Sequence, residues 1–295
     1  MLCAFAFVAC SAPKEDQTPP NIVFIMSDDH AYQAISAYSD KLIETPNIDR
    51  IAEQGMLFTN ASVTNSICAP SRATILTGKH THLNGKVDNH FAFDDSNITF
   101  PQILQENGYQ TAMFGKLHFG NNPKGFDEFK ILPGQGAYWN PDFITKHEGE
   151  IQVEGYATDI ITDFTIDWLQ NDRKEEQPFL LMYLHKAPHR AWYMAERHYD
   201  EFLNRQFEEP ETLFEDYSTM GKAAAEAEMN ILNHMGWTGD NKLKTQTIED
   251  LNIEPISFEK IRYERMMQRM TEAQKEAFDK AYTPVNEEFI KAYPG

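Results

Sequence analysis

The sequence predicts an α/β fold, in which a mixed, largely parallel central sheet is flanked by helices and continued by a helical C-terminal segment. Three observations carry the prediction. Residues 21–26 (NIVFIM) and 179–184 (FLLMYL) are apolar at successive positions, as in strands buried on both faces of a parallel sheet. Helical stretches opened by proline and closed by glycine alternate with such runs, as crossover connections require. Polar residues able to do chemistry follow the strands at their carboxyl ends, the edge where open α/β sheets bind ligands.

Composition sets the bounds. With 41% apolar residues the chain has enough material for a core, in one large domain or two modest ones. The balance of 45 acidic against 26 basic residues gives a net charge of -19, which repels nucleic acid. Any polyanionic ligand must therefore be drawn by a local pocket of cations.

Residues 1–10 are an apolar run too short to span a bilayer, and the Ala9-Cys10-Ser11 end reads as a bacterial lipoprotein signal with Cys10 as the acylated residue. A plain export signal is the alternative. On the first reading Cys3 is removed, Cys68 is the only thiol of the mature chain, and no disulfide forms. Residues 11–20, with Pro13, Pro19 and Pro20, read as a tether.

The first strand leads into Ser27, Asp28, Asp29 and His30. Two adjacent carboxylates repel unless a cation lies between them, although as a bare pattern an Asp-rich turn capping the next helix is the better explanation of the pair. Thr45, Pro46 and Gly55 frame a helix whose Ile48 and Ile51 should face the sheet, and residues 56–63 read as a strand leading toward Cys68. Cys68 lies at the mouth of a helix that Pro70 opens at its first position and Gly78 stops. The helix N-terminus and Arg72 one turn away both favour an anion there; a buried cysteine packing as a small hydrophobe is the other reading.

Residues 100–108 read as a helix and 109–114 as a strand ending in Gly115-Lys116-Leu117-His118, with Lys116 and His118 projecting to one side. Residues 120–155 are rich in Gly, Asn, Pro and aromatics and read as loops, in which Trp139 either rims a site or packs beneath one. A helix over 157–170 precedes the strand at 179–184, which leads into His185-Lys186-Ala187-Pro188-His189-Arg190-Ala191-Trp192. Beyond Tyr199 the pattern is charged and helical, with no further buried strand.

The run C-x-P-S-R-x-x-x-L-T-G at 68–78 resembles the signature of type I, formylglycine-dependent sulfatases of the alkaline phosphatase superfamily. The resemblance implies that a maturase oxidises Cys68 to formylglycine, whose hydrated aldehyde is the nucleophile. It implies Asp28, Asp29 and residue 68 as ligands of calcium, with magnesium as the alternative, and Arg72 and Lys116 as partners of the sulfate. It further implies that His118 assists the nucleophile and that His189 is the general acid. The H-K-A-P-H-R-x-W run looks like bacterial glycan sulfatases of the N-acetylglucosamine-6-sulfatase kind, implying a sulfated glycan substrate, while the lipoprotein pattern of residues 1–11 makes the protein periplasmic or envelope-anchored.

The resemblance is close over 21–200, the N-terminal part of a catalytic domain, and makes 201–295 an insertion or a truncated continuation. The family completes its metal site with an Asp-Asn or Asp-His pair after a further strand. Asp240-Asn241 has the residue types without the strand, so it is read as a coincidence and the completing residues are expected beyond Gly295. Two rival functions stay open: a phosphate or phosphonate ester hydrolase of the same superfamily, and a catalytically silent sulfoglycan-binding protein.

Overall fold

Strands β1 (Ile22–Met26), β2 (Gln110–Lys116), β3 (Glu128–Leu132), β4 (Asp142–Thr145), β5 (Glu150–Gln152) and β6 (Phe179–Leu184) form one sheet in the order β1-β6-β2-β3-β4-β5. This is seen in a computed structural model that describes residues 18–253 and 257–293. The first four neighbours run parallel, and β4 and β5 add an antiparallel end. The sheet is thus mixed and largely parallel, as expected. Residues 1–17, on which the expected signal, most of the expected tether, Cys3 and Cys10 fall, lie outside the described residues.

Register places the functional edge. Met26 of β1 and Gly115 of β2 both stand opposite Leu184 of β6, so the residues after all three emerge side by side. Gly115 is required there: its φ is 111°, and a Cβ would lie 1.8 Å from the carbonyl oxygen of Leu184. Any other side chain pries β2 from β6.

The longer helices along the sheet sequence are α1 (Pro46–Gln54), α2 (Cys68–Thr77), α3 (Phe100–Glu106) and α4 (Ala157–Asp167). On one face of the sheet, Met113, Leu180 and Met182 pack against Ala69, Ala73 and Leu76 of α2. On the other, Phe114, Phe179 and Leu181 pack against Ile160 and Ile161 of α4 and against Trp168. Alternate residues of β2 and β6 feed opposite faces, which is why these strands read as unbroken apolar runs.

Two further helices, α5 (Ser257–Arg269) and α6 (Glu272–Ala292), close a third apolar cluster. Tyr263, Met266 and Phe278 pack there on Tyr138, Trp139 and Tyr193. Asn140 donates to the carbonyl of Arg269 at 2.6 Å, and the Arg269 guanidinium pairs with Asp142. No strand follows β6 among the described residues.

Four expectations are corrected. Among the described residues β1 is the edge strand rather than a central one, and Val23 and Ile25 are 49% and 54% exposed. Helix α1 forms with Pro46 at its start, yet Ile48 and Ile51 point outward. The Asp49 carboxylate accepts from Ser36, Ala37 and Thr45, so polar contacts hold this helix. Residues 56–63 are irregular, with a bend at 59–60, rather than a strand. Asn60 and Ser62 interrupt the apolar run, and no neighbouring strand pairs with it. Residues 120–155 contain β3, β4 and β5 rather than loops alone, and their Tyr138, Trp139 and Phe143 are buried. Tertiary packing of these aromatics outweighs the Gly and Pro content, and Trp139 packs beneath the surface.

Candidate active site

Three parallel strand ends and one helix start meet at the carboxyl edge. Strand β1 delivers Asp28 and Asp29, β2 delivers Lys116 and His118, β6 delivers Lys186 and His189, and α2 brings Cys68 across at its first residue. Pro70 takes the third helical position, where a missing N–H is still harmless. Gly78 caps the helix in the left-handed conformation, φ 66°. The N–H of Ala69, which has no partner inside the helix, donates to Oδ1 of Asn89 at 3.0 Å.

Asp28 is the hub. The Lys116 ammonium bonds its Oδ2, and the Arg72 guanidinium lies 3.5 Å from the same atom. All three side chains are buried, and Arg72 also donates to the Lys116 carbonyl. The sulfur of Cys68 is 3.8 Å from Oδ1 of Asp28 and 3.7 Å from Nζ of Lys116. Ligand atoms of Asp28, Cys68 and His189 lie within 4.8 Å of one another. Asp29, more exposed, turns its carboxylate to within 3.5 Å of Nε2 of His189. Asp29 and His118 hold φ at 57° and 63°, the left-handed region that non-glycine residues seldom adopt. Such strain concentrates at functional sites.

The electrostatics follow from burial against charge. Burial alone raises the Asp28 carboxyl, but Lys116 and Arg72 outweigh it and hold the group below the usual carboxylate range. Burial raises the Cys68 thiol, with Asp28 and Asp29 adding to it and Lys116 and Arg72 opposing. The expected preference for an anion at Cys68 is therefore reversed in the unmodified thiol, because burial, helped by the two carboxylates, outweighs Lys116 and Arg72.

Burial, Lys116 and Arg72 push His118 down to about 4, so its ring is neutral at physiological pH. Its Nδ1 is buried with no hydrogen-bond partner. His189 is lowered by burial and by Lys116. Its Nδ1 contacts the carbonyl oxygen of Arg190 at 2.6 Å. A carbonyl only accepts, so Nδ1 carries the hydrogen and Nε2, facing the cluster, is the atom whose proton is exchanged.

All the expected residues, Asp28, Asp29, Cys68, Arg72, Lys116, His118 and His189, thus belong to these strand ends and this helix start. Three neighbours are additions. Tyr138 donates from its hydroxyl to the His189 carbonyl at 2.6 Å and fixes that loop. Lys186 donates to the Gln135 carbonyl at 3.0 Å, and burial pushes its ammonium down to about 7. Its place inside the H-K-A-P-H run was the available signal; Asn89 carries none.

Asp240 is committed elsewhere. Its Oδ1 accepts from Nε of Arg190 at 2.9 Å, and its Oδ2 accepts from the same guanidinium and from the Gly236 N–H at 2.6 Å. A carboxylate so saturated serves as the anchor of the 236–240 turn.

The donor set suits a hard divalent cation. Asp28 and Asp29 present oxygens at one strand end, and an oxygen-bearing residue 68 would replace the soft sulfur with a third.

A family model described as Sulfatase matches residues 20–250. The N-acetylglucosamine-6-O-sulfatase of Bacteroides thetaiotaomicron is 44% identical over 295 residues, 98% of this chain and 51% of that protein. The N-acetylgalactosamine-6-sulfatase of Rattus norvegicus is 26% identical over 67% of this chain and 44% of its own. A solved structure of BT4656 in complex with its substrate D-glucosamine-2-N,6-O-disulfate is similar with a TM-score of 0.83. It has 43% identity and covers 92% of this chain and 54% of that one. The chain spans about half the length of these relatives.

Proposed function

The chain belongs to the sulfatase family, and from that premise we propose that the protein hydrolyses a sulfate ester on a sulfated carbohydrate. The sugar we propose is a glucosamine sulfated at O6, as in the similar proteins. One observation carries the reading: the ligand atoms of Cys68, Asp28 and His189 lie within 4.8 Å of one another, with Lys116 beside Cys68. A lone structural cysteine needs none of these neighbours.

Oxidised by a maturase to formylglycine, residue 68 would supply a hydroxyl nucleophile; Asp28, Asp29 and residue 68 would hold calcium, which would supply positive charge to the reaction. The chain's own residues do the rest. Lys116 and Arg72 bring two buried cations to the sulfate oxygens, with Asp28 fixing both beforehand so that no reorganisation is needed. His118, neutral at working pH, accepts the proton of the attacking hydroxyl on this reading. His189 delivers a proton from Nε2 to the sugar oxygen as the S–O bond breaks, and its Nδ1–H stays on the Arg190 carbonyl throughout. The reading includes export, with lipid on Cys10; that part rests on the residue pattern 1–11 alone.

The test is a peptide mass map of protein made in a maturase-bearing host, paired with hydrolysis of glucosamine 6-sulfate. Formylglycine at position 68 with turnover lost in Cys68→Ala is the expected result. Turnover that survives in pure Cys68→Ala protein overturns the assignment.

A further inference from the structure

The loop that carries His189 leaves the sheet after Leu184 and is tied back to β1 by main chain alone at its start. The His185 N–H donates to the Met26 carbonyl at 2.8 Å, and the Ala187 carbonyl accepts from the Asp28 N–H at 3.1 Å. His189 lies past these anchors. Its ring is oriented within its own loop, through Nδ1 and the Arg190 carbonyl, so a displacement of the loop backbone moves Nε2 as well. A misplacement of about 1 Å is enough to cost a reaction about a hundredfold.

Two side chains cross in opposite directions between this loop and the segment that follows β3. From the segment, the Tyr138 hydroxyl donates to the His189 carbonyl at 2.6 Å. From the loop, the Lys186 ammonium donates to the Gln135 carbonyl at 3.0 Å and stands 4.7 Å from the centre of the Tyr138 ring. The Lys186 carbonyl accepts from the His189 N–H at 3.1 Å, so both main-chain polar groups of His189 are held by this pair of residues.

Both residues are buried, Tyr138 at 2% and Lys186 at 5% exposure. Burial holds the Tyr138 phenol well above its ordinary range, so it stays protonated and donates at any working pH. For Lys186, burial disfavours the ammonium, and one neutral carbonyl and a ring face replace its water. An apolar side chain of similar length avoids that cost, so what the lysine adds is the bond to the segment. The segment is fixed in its own right. The Gly136 N–H donates to the Pro133 carbonyl at 2.9 Å, and Tyr138 packs in the third apolar cluster with Trp139 and Tyr263.

We propose that Tyr138 and Lys186 are positioning residues for His189, two struts between residues 133–138 and the loop 185–190 that hold Nε2 at the leaving oxygen. The inference rests on the sulfatase reading, in which His189 is the general acid, and adds what keeps that acid in place. The two residues act through His189 and not on the substrate.

The experiment is a double-mutant cycle on kcat and KM for glucosamine 6-sulfate, using matured protein with calcium. Tyr138→Phe and Lys186→Met are each expected to lower kcat about tenfold or more and to leave KM within about threefold. Placed on His189→Ala, either change should cost less than about twofold further, because no acid is left to position. A rise in KM with kcat unchanged assigns the pair to sugar binding in the cavity of about 620 Å³ that both line. Full losses added to that of His189→Ala assign them a role elsewhere. Either result overturns the inference and leaves the sulfatase reading intact. Tyr138→Phe, which removes a single oxygen, decides the cycle alone if Lys186→Met does not fold. If the parent protein does not hydrolyse this ester, the proposed function fails, and NMR of the His189 ring nitrogens decides the inference. The parent must then hold its hydrogen on Nδ1 while both variants show mixed tautomers; one unchanged tautomer throughout overturns it.

Discussion

The ammonium of Lys116 is bonded to the carboxylate of Asp28, with both side chains buried between β1, β2 and α2. Each charge is tolerable inside the protein only because the other is there.

Lys116→Met is therefore expected to destabilise the metal-free protein by about 3 kcal/mol, since it leaves Asp28 with only Arg72. Lys116→Met with Asp28→Asn should recover a large part of that loss. A denaturant double-mutant cycle measures it; strictly additive losses would show that the two residues do not act as a pair.

Calcium affinity separates two aspartates that look alike in sequence. Asp28→Asn should abolish calcium binding measured by calorimetry, whereas Asp240→Asn should leave it within about threefold and lower stability by roughly 2 kcal/mol. The reason is that both oxygens of Asp240 are taken by Arg190 and Gly236. Loss of calcium in Asp240→Asn would restore it as a ligand.

Acid should weaken the fold through His185. Burial lowers its ring from 6.5 to about 4, so the folded state resists a proton that the unfolded chain accepts. Its stabilising contribution is complete above about pH 6.5 and is lost as the pH falls toward 4. His185→Phe should show a smaller drop in Tm between pH 6.5 and 4.5 than the parent. An unchanged drop would assign the effect to other groups.

Gly115→Ala should cost roughly 3 kcal/mol or more, because the added carbon meets the Leu184 carbonyl in a conformation that already disfavours side chains. Gly134, also at positive φ but with open space around it, is the control and should tolerate alanine at about 1 kcal/mol.

How much of this was legible in the residues depends on how each signal is stored. The strand over 179–184 and the helix closed by Gly78 follow from local pattern and backbone chemistry, and both appear where expected. The site was legible because strand ends converge by topology: once β1, β2 and β6 are parallel, Asp28, Lys116 and His189 share an edge. What failed depended on partners distant in sequence. The outward turn of Ile48 and Ile51, the missing strand at 56–63 and the burial of Trp139 are decided by what packs against them, and short apolar runs do not record it. Asn89 reaches Ala69 across 20 residues, and no spacing rule anticipates that contact.

The outer edge of β1 offers main-chain N–H and C=O groups in a row, next to the exposed Val23 and Ile25. A strand laid parallel along it would stand about 4.8 Å away and finish level with Met26. Its next residues would arrive beside Asp28 and on the open side of Asp29. Among the described residues, the unpaired border of the sheet and the open side of Asp29 are thus one location, so whatever extends the first also walls in the second.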